Sequence, residues 1–375
     1  MFYPFAVEQY LSDFEQGVDY HFSESGVEPV KFGELLELAG LEPEIFLDTP
    51  INYPEVNGFR SLRERIASFY PGAGPDNVLV TVGASEANYI IAQTLFHEGG
   101  ELVTMQPTYL QITGGARNLG ATVKTVPLIE EDGWALDTDA LNSAVSDETT
   151  AITIVNPNNP TGHIMVEQER EAVITAAEKA GCWLITDEVY AGAEREGDVI
   201  TPTLYGRYEK TLAVGSMSKA YGLPGLRLGW VVGPEEMIRQ LWRRHEYATV
   251  STTIMANKLA EIALSPDVRP KLIERTRGLI RTGFDILTEE LNTYQGVFSV
   301  IPPGASAISF VKYNLPIGST DFAHRLREEK SVLVVPGDCF GLDHHLRISF
   351  ALLPDHLRAG LRHLNEVVDD IQQRA

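Results

Sequence analysis

From about residue 50 the chain alternates between two hydrophobic rhythms. Short apolar runs at residues 78–82 (Val-Leu-Val-Thr-Val), 102–105, 150–155 (Thr-Ala-Ile-Thr-Ile-Val), 183–186 and 211–214 read as strands buried on both faces, and 123–127 (Val-Lys-Thr-Val-Pro) is strand-like. Between them, apolar positions three to four apart predict helices over 58–70, 85–97, 110–119, 137–145 and 167–181. Such an alternation predicts an α/β fold with a mostly parallel sheet covered by helices. A long helical stretch at about 234–290 reads as a connecting helix. Strand-like segments within 297–312, 332–336 and 345–350 then alternate with helices 320–330 and 354–372, the pattern of a smaller α+β unit. Residues 1–20 read as a helical arm with Phe5, Tyr10 and Phe14 on one face, and residues 21–50 as irregular. The expected organisation is a large domain over 46–250 and a small domain from 1–45 and 251–375.

Bulk properties narrow the class. A chain of 375 residues exceeds what one hydrophobic core usually serves, which agrees with two domains. The formal net charge of -22 argues against nucleic acid or an anionic membrane as partner. Only nine of the 30 basic residues are Lys. An acid-rich, Lys-poor surface suits a salt-rich habitat, and a GC-rich genome gives the same preference for Arg. No apolar run approaches the roughly 18 residues needed to span a bilayer, and residues 1–8 lack a secretory pattern, so a cytoplasmic location is expected. Cys182 and Cys339 have no metal-ligand spacing and read as buried free thiols; no metal site is expected.

The chemistry concentrates where strands end. In Gly215-Ser-Met-Ser-Lys219 a strand runs into small hydroxylated residues and a lysine, and Arg227 follows eight residues later. A lysine that forms a Schiff base must be reachable and partly desolvated, while serine hydroxyls and a guanidinium suit a phosphate. A surface lysine on a loop is the plain alternative. Gly83-Ala84-Ser85 makes a small-residue turn into a helix, where backbone N–H groups can bind phosphate. Asn156-Pro-Asn-Asn159-Pro-Thr-Gly162 follows the most apolar strand. Asp187-Glu-Val-Tyr190 caps the next one, and Leu346-Arg347-Ile-Ser-Phe350 lies on a late strand.

Together these segments resemble the fold-type I, class I/II aminotransferase family of pyridoxal-phosphate (PLP) enzymes, in the family's order across roughly residues 50–350. The resemblance implies that Lys219 carries PLP and shuttles protons, that Asp187 faces the pyridine nitrogen, and that Asn159 and Tyr190 bond the phenolic oxygen. It implies phosphate contacts from Gly83, Ala84, Ser85, Ser216, Ser218 and Arg227, and a ring stack from Tyr109. Tyr53, in Tyr53-x4-Gly58-x3-Leu62-Arg63, would reach the cofactor phosphate of a neighbouring subunit, implying a homodimer with shared sites. A core tyrosine is the alternative for Tyr53 and for Tyr109. Gly26, Asn159 and Arg347 would receive the substrate carboxylate. The implied substrates are an α-amino acid and a 2-oxo acid. Two departures matter. Ile112 stands where the family often has a second aromatic. The opening Ser23-Glu-Ser-Gly-Val27 is similar to that of PLP enzymes of the capreomycidine-synthase type, which cyclise 3-hydroxyarginine; cyclisation, elimination or oxidation of arginine or hydroxyarginine is therefore the second expectation. Glu24 then has two readings, a partner for a guanidinium or a solvated surface acid. His245, Glu246 and Tyr247 have two readings as well, substrate-pocket lining or ordinary helix surface.

Overall fold

The structure, a computed structural model, describes residues 2–374. The chain opens with α1 (Ala6–Phe14), β1 (Tyr20–His21) and α2 (Phe32–Ala39). An alternating region follows: α3 (Arg60–Ala67), β2 (Val78–Thr81), α4 (Gly83–Leu95), β3 (Glu101–Gln106), α5 (Gln111–Asn118), β4 (Thr122–Ile129), β5 (Ala135–Leu136), α6 (Thr138–Ala144), β6 (Thr149–Val155), α7 (Glu167–Ala180), β7 (Trp183–Asp187), β8 (Thr211–Ser216) and β9 (Gly229–Val232). Three helices come next, α8 (Glu235–Ala248), α9 (Ile254–Ala263) and α10 (Arg269–Leu291). The last part holds β10 (Phe298–Val300), β11 (Ile308–Tyr313), α11 (Ser319–Lys330), β12 (Val332–Leu333), β13 (Val335–Pro336), β14 (His345–Ser349) and α12 (Pro354–Arg374).

Eight strands form the large sheet in the order β2-β9-β8-β7-β6-β3-β4-β5. The five strands from β8 to β4 run parallel, and β9 is antiparallel to both of its neighbours. Consequently β2 points the same way as β8. The C-terminal ends of β2, β3, β6, β7 and β8 therefore share one edge, the edge where open α/β sheets bind ligands. Alternation sends successive side chains to opposite cores. Leu184 joins Val173 and Ala177 of α7, whereas Ile185 joins Ile90 and Ile91 of α4. Both faces are thus covered, which accounts for the continuous apolar runs.

A four-stranded antiparallel sheet, β10-β11-β14-β13, stands apart from the first. The N-terminal arm joins this region through β1, which pairs in parallel with β12, Tyr20 opposite Val332. Helix α10 lies close against the end of β14: a Cβ on Gly283 would sit 1.9 Å from the Phe350 carbonyl oxygen.

Three expectations need correction. The stretch 234–290 is three helices rather than one. Val250 adopts a left-handed backbone (φ 68°), Thr253 caps α9 by accepting from the Ala256 N–H at 3.0 Å, and Pro270 occupies the first turn of α10. Residues 21–50 contain α2, whose Leu35 and Leu36 are buried. Phe5 precedes α1; its ring packs on Tyr109 (5.0 Å between centroids), while Tyr10 and Phe14 pack on each other.

Candidate active site

The turn after β6 shows how its asparagines divide their work. Asn156 Oδ1 accepts from the Met165 N–H (2.9 Å), and Asn158 Oδ1 accepts from the Thr161 hydroxyl (2.9 Å). These two hold the turn. Gly162 closes it at φ +70°, where a Cβ would collide with Pro303. Asn159 is left to face a cavity of about 600 Å³ at the sheet edge.

That cavity gathers Ala84, Ser85, Tyr109, Asn159, Asp187, Tyr190, Ser216, Ser218, Lys219, Arg227 and Arg347, which lie far apart in sequence. Lys219 Nζ donates to Ser25 Oγ at 2.8 Å. Burial pushes its pKa down, opposed by the carboxylates of Glu24 and Glu8. Asp187 accepts from Asn88 Nδ2 (3.1 Å) and the Val189 N–H (3.3 Å). Its burial raises the carboxyl pKa, and these bonds together with Lys219 only partly offset the rise. Burial likewise pushes the Tyr190 hydroxyl up to about 12. Asn159 Nδ2 donates to Tyr190 Oη (3.4 Å), and its Oδ1 accepts from Arg347 Nη1 (3.3 Å). Arg347 is held in β14 between Phe310 and Val335; its other terminal nitrogen donates to the Ser23 carbonyl, and its Nε is buried with no hydrogen-bond partner among the described residues.

A second cluster lies at the start of α4. Ser218 N–H and Oγ both meet Ser216 Oγ at 3.0 Å. Gly83 has φ +73°, and a Cβ there would lie 2.6 Å from Arg227 Nη2. A Cβ on Gly229 would lie 2.5 Å from the Ala84 nitrogen. The absence of side chains lets strand, guanidinium and helix start converge on one spot, a concave set of N–H, O–H and guanidinium donors suited to a phosphate.

Several residues fall elsewhere. Gly26 sits behind the lysine, its Cβ position 3.9 Å from Lys219 Cδ. Tyr53 is 84% exposed and lines a separate groove with Ile51, Thr249 and residues 251–255. Ile112 is buried in the core beside Ala87, and His245 is fully buried between Glu86 and the Val56 carbonyl, while Tyr247 is exposed; none of the three lines the cavity. Cys182 is buried as expected, but Cys339 is only half-buried, and both thiols are free. Glu8, Glu15, Ser25, Asn88 and Val189 line the cavity without having stood out in the sequence. Asn88 follows the Gly83-Ala-Ser turn by one helical turn, a spacing that could have marked it; the others had no local signal.

The residues fit PLP. A deeply buried Asp187 that forms no salt bridge among the described residues is matched by a protonated pyridine nitrogen. The donor cluster at Gly83–Ser85 matches a phosphate, and a partly desolvated amine lies in the same cavity. The comparisons agree. The profile described as aminotransferase class I and II matches residues 48–364. Capreomycidine synthase of Streptomyces vinaceus is 30% identical over 355 residues, covering 92% of this chain and 88% of that protein. A probable aspartate/prephenate aminotransferase of Aquifex aeolicus is 28% identical, covering 92% of both. The crystal structure of a PLP-dependent aminotransferase from Streptococcus suis superposes with a TM-score of 0.92 at 30% identity, covering 98% of each chain. The fold is that of a PLP-dependent transferase of fold type I. The chain belongs to the class I and II aminotransferase family. No described helix is long and apolar enough to cross a membrane.

Proposed function

We propose that the protein transfers the amino group of an α-amino acid to a 2-oxo acid, with PLP held on Lys219. The observation that carries this reading is the convergence of Arg347, Asn159, Tyr190 and Lys219 on one cavity, with Arg347 Nε buried and unpartnered. When bound, PLP supplies a ring that accepts negative charge from the substrate's α-carbon. In this reading Asp187 keeps the ring nitrogen protonated, and Asn159 and Tyr190 bond the ring's hydroxyl oxygen. Gly83, Ala84, Ser85, Ser216, Ser218 and Arg227 hold the phosphate, and Tyr109 covers the ring. Arg347 receives the substrate α-carboxylate, beside Asn159 and Gly26. Lys219 Nζ, whose lowered pKa favours the neutral amine, takes the α-proton and returns it.

The proposal extends to a homodimer in which Tyr53 serves the neighbouring site. Exposed Leu47, Ile51, Tyr53 and Tyr247 support that reading. Two free thiols suit a reducing compartment, and we place the protein in the cytoplasm.

Cyclisation, elimination or oxidation of arginine or hydroxyarginine is the second reading. It is favoured by the Ser23–Gly26 segment, which brings Glu24 and Ser25 into the cavity. An isotopically labelled amino nitrogen separates the two. Transfer of the label from an amino acid to an added 2-oxo acid is the expected result. Retention of the label in a cyclised product, or its release as ammonia in elimination or oxidation, with none passed on to the 2-oxo acid across a broad amino-acid panel, would favour the second reading.

A further inference from the structure

We infer that the substrate carries a cationic side chain, an ammonium or a guanidinium, and that Glu8 and Glu24 recognise it, with Glu15 farther along the same wall. The inference deepens the amino-acid reading above and rests on it.

A count of the charges in the cavity leads there. Its cations are Lys219, Arg227 and Arg347, and its anions are Asp187, Glu8, Glu15 and Glu24. Lys219 is committed to the cofactor, Arg227 to the phosphate, Arg347 to the substrate carboxylate, and Asp187 to the ring nitrogen. Glu8, Glu15 and Glu24 remain. None of the three forms a salt bridge with a Lys, Arg or His side chain among the described residues, although all three line the cavity. In the same cavity Arg347, 1% exposed and with its Nε unpartnered among the described residues, independently marks where an anionic group docks. A ligand that satisfies both Arg347 and the unpaired acids is an amino acid that carries a positive charge on its side chain.

The positions of the acids are built rather than incidental. Glu8 and Leu11 of α1 and Glu15, which caps its C-terminal end, recur at three- and four-residue spacing, so they share one face, and all three line the cavity. Glu8 Oε1 is held by the Tyr109 hydroxyl at 3.0 Å. Glu24 sits between Ser23, whose carbonyl accepts from Arg347, and Ser25, whose hydroxyl accepts from Lys219. Its backbone is thus tied on one side to the carboxylate anchor and on the other to the reactive amine. Both Glu8 and Glu24 act on Lys219 and on Arg347, opposing the pKa drop that burial causes in each. A substrate with an acidic side chain would instead meet three like charges.

The test is equilibrium binding of amino acids to the PLP-loaded protein, followed by the absorbance change of the bound cofactor without a 2-oxo acid. Arginine is compared with citrulline and lysine with norleucine, pairs of like length that differ in charge; glutamate is the acidic member. The cationic member of each pair should bind at least about tenfold more tightly, and glutamate least well. In Glu24→Gln, and separately in Glu8→Gln, the preference should shrink several-fold. It should also shrink with added salt, because Glu8 and Glu24 are exposed at the mouth. Equal binding within the pairs, or a preference that survives both substitutions, overturns the inference. Selective binding of the cations without transfer of a labelled nitrogen would overturn the transfer reading and leave this one standing. Transfer from neutral or acidic amino acids with equal affinity would do the reverse.

Discussion

Arg347 is almost fully buried, yet only two of its three guanidinium nitrogens find partners, Asn159 and the Ser23 carbonyl. Burying a charge in that state is costly, and the cost is offset when a carboxylate arrives. A planar fork can meet a carboxylate with two parallel bonds, whereas an ammonium offers a point charge. Arg347→Lys should therefore raise KM for every amino-acid substrate about ten- to hundredfold, in line with roughly 1.5–3 kcal/mol for hydrogen bonds to charged groups, and change kcat less. Steady-state kinetics across several substrates measures this, and an unchanged KM would remove Arg347 from the carboxylate site. Residues of this kind stood out in the sequence because each lies on a strand or in the turn just after one and has a chemically distinctive side chain. Asp187, Asn159 and Lys219 share that property. Ser25 and Glu8 do not: they belong to an arm whose route into the cavity is set by contacts with residues more than a hundred positions away.

At the scale of elements, the strands were readable from their apolar runs because both faces of the large sheet are covered. Helix boundaries and breaks were less readable, since the split of 234–290 depends on the turn at Val250 and the cap at Thr253. That split serves a purpose near the site. The last turn of α8 places His245 against Glu86 Oε1 at 2.8 Å, and Thr249 bonds the same oxygen at 2.6 Å. Glu86 also accepts from the Val82 N–H at 2.6 Å, so it joins α8 to the start of α4, the helix of the donor cluster. Burial alone would raise the Glu86 carboxyl; the bonds from His245, Thr249 and Val82 outweigh it and hold the pKa below the usual carboxylate range. A native value that is depressed stabilises the fold at pH above the unfolded carboxylate pKa, and this contribution is lost as pH falls through the native one. Glu86→Gln is expected to melt at lower temperature than the parent protein at neutral pH, with the gap narrowing in acid. Thermal melts over a pH series check the sign; a gap that widened in acid would contradict it.

At the scale of the molecule, the active cavity draws on the large sheet edge, on β14 and on the N-terminal arm. Tyr53 is not part of it and faces solvent. If the dimer proposal holds, Tyr53→Ala should weaken PLP binding, and Lys219→Ala should abolish activity. Mixing the two variants under conditions that allow subunit exchange should restore one sound site per mixed dimer, pairing Lys219 of one subunit with the partner's Tyr53. Activity of the mixture at limiting PLP reads this out, and a mixture no better than the sum of its parts would count against shared sites.

The sequence by itself determined the α/β class and the cofactor, and singled out the strand ends proposed to carry the chemistry, because these follow from local patterns in which each strand and its terminal turn are continuous in the chain. Only the tertiary structure decided which acids enter the cavity, that Asn88 supports Asp187, and that Gly83 and Gly229 admit Arg227 and the start of α4 so closely. Those outcomes depend on where one element's surface meets another's, and no spacing along the chain records such a meeting.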